Sequence, residues 1–280
     1  MNWKTLERID IATLNNEMTL HHHAVQFIAL AGKYLLPEKQ DDSHTNMFWN
    51  RALNSYVGHE LPQFRRVAIR LPDLSLCIFD DKDYIVQALE ISGYTRMDLY
   101  EWLTKALEAN RISTENLGLE MHYEIPDQPR YEHASFEKPH PEASEFIARM
   151  RTNAREILTK LVKSYPDASP VRIWPHHFDT GTFIPYYDGD KMVSGIGLGL
   201  AMTDEMVGEP YFYVNHWMDQ PREKYPKLKV PGKGKWIIND WKGSVLPVSQ
   251  LFSLHVEKQL EAVKTYFAES ILETQKLIGI

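Results

Sequence analysis

The chain has 280 residues, a formal net charge of −7, 43% hydrophobic and 25% charged residues, and one cysteine. This is the composition of a globular protein with ample core. The negative balance argues against a nucleic-acid or anionic-membrane surface, which needs a basic face. The lone Cys77 leaves no internal disulfide framework or cysteine-rich zinc site. With no run of the ~18 apolar residues a membrane span needs, a cytoplasmic location is expected.

In chain order, MNWKTLERIDIATLNNEM reads as an amphipathic, mixed-charge helix rather than a signal peptide. Thr19 can cap a second helix through HHHAVQFIALAGKYLL, apolar nearly all round and so expected to be buried, with Pro37 ending it. TNMFWNRALNSYVG reads as two short strands, RRVAIRL and LSLCIFD as a hairpin across Pro72-Asp73, and DYIVQALEIS as another strand. Within LSLCIF, Cys77 reads as a small buried apolar residue, with a reactive thiol as the other reading. Thr95 and Asp98 form a capping box that opens a helix with Leu99, Trp102, Leu103, Ala106 and Leu107 on one face.

LGLEMHYEIP looks like a further strand. PDQPRYEHASFEKPHP, without periodicity, is the candidate boundary. Glu142–Tyr165 carries the clearest helical stripe. Four strand-like segments follow, RIWPHHFDTGTFIP, MVSGIGLGLAM, EPYFYVNHW and GKWIINDW, the last two separated by the loop PREKYPKLKVPGKGK. A long helix runs from about Val248 to the end.

The pattern predicts an α+β fold, antiparallel sheets packed with long helices, in one compact unit over 1–280. Helix, strands, helix occurs twice, so the alternative within that unit is two similar halves, 19–125 and 142–280, joined by the proline-rich linker 126–141.

The stretch 171–217 is the richest in chemistry. If Arg172–Ile184 is extended, His177 and Asp179 share a face, which suits a His–Asp dyad, part of a metal site, or a hydrogen bond that only holds the sheet. Pro175 marks an edge or bulge. GIGLGL is not a dinucleotide fingerprint, because no βαβ context follows it. Its alternation bares Gly195, Gly197 and Gly199 for a ligand or an aromatic ring, with Trp174, Tyr186 and Tyr187 as candidates. Tyr211, Tyr213, Asn215 and Trp217 alternate on one face as an amphipathic pocket wall, with Glu209 at the mouth. His21, His22 and His23 lie in an apolar helical run, where satisfied core histidines are the blander account, and His44 is a further partner. Strand spacing gives a metal at most two ligands on one face, so no metal site is expected. No cofactor motif is present.

Several segments are similar to an uncharacterised bacterial family catalogued only as a domain of unknown function. They are the helix start with His22 and Gln26, His44 before a strand, YEIPDQP with the following H-x-S-F stretch, SPVRIWPHHFD, and EPYFY. The resemblance covers about 19–217. It favours Asp179, His44 and Glu209-Pro210-Tyr211, and disfavours a metal site using both His176 and His177, where the family more often shows other residues.

The sequence thus expects a small-molecule partner in a pocket with Asp179, His177 and His44 as catalytic candidates for hydrolytic or acid–base chemistry. Trp174, Gly197, Glu209, Tyr211 and Tyr213 are the ligand-binding candidates. The rival expectation is a non-catalytic binding or assembly module in which the same residues form a structural polar network.

Overall fold

The computed structural model describes residues 3–126, 128–221, 226–238 and 241–280. Residue 127 of the proline-rich segment, 222–225 of the PREKYPKLKVPGKGK loop and 239–240 of GKWIINDW lie outside the described residues. Helices and antiparallel sheets make the chain α+β. It divides into two compact units: unit 1 is Met1–Asp10, Arg149–Val171 and Asp179–Ile280, and unit 2 is Ile11–Ala148 and Arg172–Phe178. The division falls inside α5 (Pro141–Leu161), and residues 126–141 belong to unit 2.

In unit 2, α1 (Ile11–Ala24) and α2 (Gln26–Leu35) place His21, His22 and His23 in the interior. Thr19 caps nothing. It sits within α1, and its hydroxyl donates to the Asn15 carbonyl at 3.1 Å. The expected strands follow as β1 (Phe48–Asn50), β2 (Ser55–Val57), β3 (Arg66–Arg70), β4 (Ser75–Phe79) and β5 (Ile85–Glu90), a meander in sequence order. Val57, Ala68, Cys77 and Phe79 form a fully buried cluster, so the cysteine takes the core role its neighbours suggest.

Helix α3 (Arg96–Ala109) opens with both bonds of the Thr95–Asp98 capping box. The proline-rich segment contains a short helix, α4 (Gln128–His133).

The strand expected in LGLEMHYEIP does not form. Side chains take the carbonyls a ladder would use: Tyr100 donates to Leu117 at 2.7 Å, Arg96 to Leu119, and Tyr34 to Glu120 at 2.8 Å. Once those acceptors are satisfied, the backbone has no need of a neighbouring strand.

The strand expected over Arg172–Ile184 is also interrupted. β6 (Arg172–Ile173) pairs with Met47, and a turn at 175–177 follows. Phe178 has φ 53, and its N–H donates to the Trp174 carbonyl at 2.7 Å. β7 (Thr180–Asp188) starts only afterwards. The period-2 argument that put His177 and Asp179 on one face therefore fails, because alternation holds only in extended backbone.

In unit 1, β7 is followed by β8 (Lys191–Ala201), β9 (Tyr211–Met218), β10 (Lys235–Ile238) and β11 (Lys242–Pro247). They lie in the antiparallel order β10-β11-β9-β8-β7. KGSVLP, which carries no strong alternation, supplies β11 between β10 and β9. Helix α6 (Val256–Ile278) packs on β9 and buries Val263, Phe267 and Ile271. It begins later than Val248 because a 3-10 turn, Val248–Leu251, comes first.

Trp3–Asp10 is not helical as its pattern suggests. Two side-chain amides of unit 1 take over its backbone. Asn153 accepts from Lys4 N–H at 2.8 Å and donates to its carbonyl at 2.7 Å. Gln259 does the same with Leu6, at 2.9 Å in both directions. No helix among the described residues is long and apolar enough to cross a membrane.

Candidate functional site

The residues singled out from the sequence divide between the units. Asp179, Gly197, Glu209, Tyr211 and Tyr213 belong to unit 1, and His44, Trp174 and His177 to unit 2.

In unit 1, β9 presents Tyr213 to Asp179, and the hydroxyl donates to Oδ2 at 2.6 Å. Burial raises the Tyr213 pKa well above its usual value, and the Asp179 charge adds to this. The phenol therefore stays protonated and acts as a donor. Tyr211 is tied in the same way to Asp204 at 2.5 Å, with its pKa raised by burial and then by that carboxylate. Asp204 also accepts the N–H groups of Met206 and Val207, so it is a turn cap. Glu209 holds Ser249, accepting from its N–H at 2.9 Å and its hydroxyl at 2.8 Å. Neutral tyrosines on bound carboxylates fix geometry without supplying a base.

The glycine strip is covered from within the sheet. A Cβ on Gly195 would strike the Phe183 ring of β7, and one on Gly197 would strike Asn215 Oδ1 of β9. One on Gly199 would lie 2.7 Å from the Tyr213 ring. An aromatic cover was one of the two expectations, but Phe183 and Tyr213 provide it rather than Trp174, Tyr186 or Tyr187.

In unit 2, buried His44 accepts the Lys39 N–H through Nδ1 at 3.3 Å. His177 is exposed, with its ring centroid 4.4 Å from that of His176. No hydrogen bond joins His44 to His177 among the described residues.

The three helix histidines each have a partner. His21 Nε2 faces both Glu17 Oε1 at 3.0 Å and Ser144 Oγ at 3.1 Å, and Ser144 itself donates to Glu17 at 2.5 Å. The residue types are those of a serine–histidine–acid relay, but the geometry is not. A relay needs the acid and the hydroxyl on opposite ring nitrogens. Here Nδ1 faces the Tyr56 hydroxyl at 3.3 Å, and Ser144 is wholly buried. This is a packing cluster.

His22 Nε2 donates to the Pro175 carbonyl at 2.7 Å, and Gln26 donates to the same carbonyl at 3.0 Å. His23 Nε2 donates to the Pro126 carbonyl at 2.8 Å, and its ring stacks on Tyr131 with centroids 4.0 Å apart.

His23 and Gln26 also line a cavity of about 610 Å³ within unit 2. That volume falls in the range of small-molecule sites. Phe27, Leu30, Tyr131 and Phe136 give it an apolar body. Tyr123 donates its hydroxyl to Gln26 Oε1 at 2.9 Å, which fixes the amide and extends the hydrogen-bonded chain to Pro175. Burial, with the Asp42 charge behind it, raises the Tyr123 pKa, so this phenol too stays neutral. The lining includes Glu120, Glu124 and Glu132 against one guanidinium, Arg96, which donates to the Leu119 carbonyl.

The sequence pattern does not reveal this cavity, because nearly half of its lining comes from the irregular segment 119–125, whose pattern suggests a strand. The signal in reach was His23 and Gln26, three apart on one helical face. Among the described residues no group of three or more His, Cys, Asp or Glu side chains is placed to hold a metal ion.

Comparison with family models, with curated proteins and with solved structures returns no match. The resemblance to the uncharacterised bacterial family rests on the sequence segments alone.

Proposed function

We propose that unit 2 is a small-molecule-binding unit whose cavity takes a compact, amine-bearing ligand with an apolar or aromatic body. The observation that carries this reading is the cavity's composition: an aromatic interior, a stacked His23–Tyr131 wall, and three carboxylates and one guanidinium in the lining. Aromatic faces and carboxylates together favour a cation over an anion. Binding rather than catalysis is supported by the state of the polar groups, since Asp179, Glu17 and Ser144 are engaged with protein partners. Membership of the resembling bacterial family and a cytoplasmic setting, suggested by a single cysteine kept as a buried thiol, belong to the same proposal.

The test is a calorimetric titration of the full chain with aromatic and aliphatic amines, each paired with its carboxylate analogue, and repeated on Met121→Trp to fill the cavity. Amines should bind in preference, and Met121→Trp should abolish binding while leaving the melting temperature close to that of the parent. A preference for the carboxylates, or binding that survives the filled cavity, would remove this reading.

A further inference from the structure

Unit 1 holds a second cavity, of about 520 Å³, between α6 and the part of α5 that belongs to this unit. Its lining follows helical spacing on both sides. Ile157, Lys160, Leu161 and Ser164 are contributed by α5 and the turn after it, and Lys264, Ala268, Ile271, Leu272 and Gln275 by α6. The floor is apolar and sealed, with Ile157, Phe267 and Ile271 buried. Leu272 stands on the wall 52% exposed, a large apolar side chain left without cover in mid-helix. The α6 stripe from Lys264 to Gln275 spans eleven residue steps, about 16 Å at 1.5 Å per step. An open, elongated apolar trough of that length suits a chain better than a disc.

The charge of the trough is the opposite of the protein's. In a chain of net charge −7, this lining, among the described residues, holds two lysines and no carboxylate. Neighbouring lysines are neutralised: Lys258 pairs with Glu261 at 2.7 Å, Lys276 with Glu273 at 2.7 Å, and Lys229 with Glu269 at 2.9 Å. Lys160 and Lys264 have no carboxylate within pairing distance among the described residues. Long lysine stems can lie along apolar surface while the ammonium groups meet an anion at the rim.

We propose that this trough binds a fatty carboxylate, with the acyl chain along Ile157, Phe267, Ile271 and Leu272 and the carboxylate at Lys160 and Lys264. Unit 1 then carries an anionic amphiphile site, independent of the amine site proposed for unit 2.

The test is a calorimetric titration of the full chain with sodium octanoate, decanoate and dodecanoate below their micellar concentrations, beside dodecanol and dodecyltrimethylammonium. One molecule of dodecanoate should bind per chain, and each added methylene should tighten binding by up to about four-fold. Dodecanol and the cationic amphiphile should bind at least ten-fold more weakly. Lys160→Ala/Lys264→Ala should weaken dodecanoate by about ten-fold or more. Ala268→Trp and, as a second groove variant, Leu272→Glu should abolish binding; both positions are exposed, and unchanged melting temperatures would show that the fold is retained. The proposal is overturned by equal affinity for dodecanol and dodecanoate, by no dependence on chain length, or by binding indifferent to both groove variants. It is equally overturned if no chain binds while anionic phospholipid vesicles or an acidic amphipathic peptide do, since the trough would then be a membrane or protein contact.

Discussion

The Tyr213 hydroxyl donates to Asp179 Oδ2 at 2.6 Å. A carboxylate that stands out in the sequence as a proton-handling group is thus held by a phenol that burial keeps neutral. Tyr213→Phe removes the donor and leaves a charged acceptor short of a bond, which should cost about 1–2 kcal/mol. Urea unfolding followed by fluorescence measures it. A midpoint equal to the parent's would show that the hydroxyl contributes nothing to the fold.

The Glu17 cluster makes stability depend on pH. Burial works to raise its carboxyl pKa, but the His21 hydrogen bond and charge, with the His140 N–H and the Ser144 hydroxyl, outweigh it and hold the carboxyl below its ordinary 4.5. A depressed acid stabilises the fold above its unfolded pKa, and that contribution is lost as pH falls through the folded value. Glu17→Gln should therefore cost about 2 kcal/mol at pH 7. The gap from the parent should shrink steadily below about pH 4.5. A gap that widens in acid would mean the carboxyl is raised rather than lowered.

Cys77 is a single-residue probe of unit 2. Burial pushes its thiol up to about 12, and only the thiolate reacts readily. Dithionitrobenzoate should leave the native protein unlabelled over hours and label it at once in about 6 M guanidinium, above the unfolding midpoints of ordinary domains. Prompt native labelling would show that the meander opens far more easily than its packing implies.

Gly197 faces Asn215 across β8 and β9, and the amide oxygen occupies the space a side chain would take. Gly197→Val should lower the melting temperature by several degrees or prevent folding, at about 1–3 kcal/mol for forced overpacking. A variant that melts with the parent would mean the neighbouring strand yields without cost.

Legibility followed the range of the interactions. Strands and helices whose signal is periodic and local, such as β3 with β4, α3 with its capping box, and β8, were readable because alternation and capping are properties of adjacent residues. The failures arose where a distant side chain claimed the backbone. Arg96, Tyr100 and Tyr34 took the carbonyls of 117–120, and Asn153 and Gln259 took the groups of Lys4 and Leu6. No spacing in a linear sequence encodes such partners. The candidate site failed for a related reason. Asp179 and Tyr213 were picked out as capable groups and are indeed bonded to each other, but the turn at 175–177 removed the strand geometry that tied Asp179 to His177. The cavity beside His23 and Gln26 depends on an irregular wall, which has no period to read.

The hold of Gln259 on Leu6 bears on the order in which the chain can assemble. A ribosome delivers Leu6 more than two hundred and fifty residues before the Gln259 amide that holds it. Until then Leu6 lacks that partner, whereas all five strands of the unit 2 meander lie within 48–90. Unit 1 is closed by bonds between residues far apart in the chain, so it can be completed only after the stretch of unit 2 that lies between them has been made.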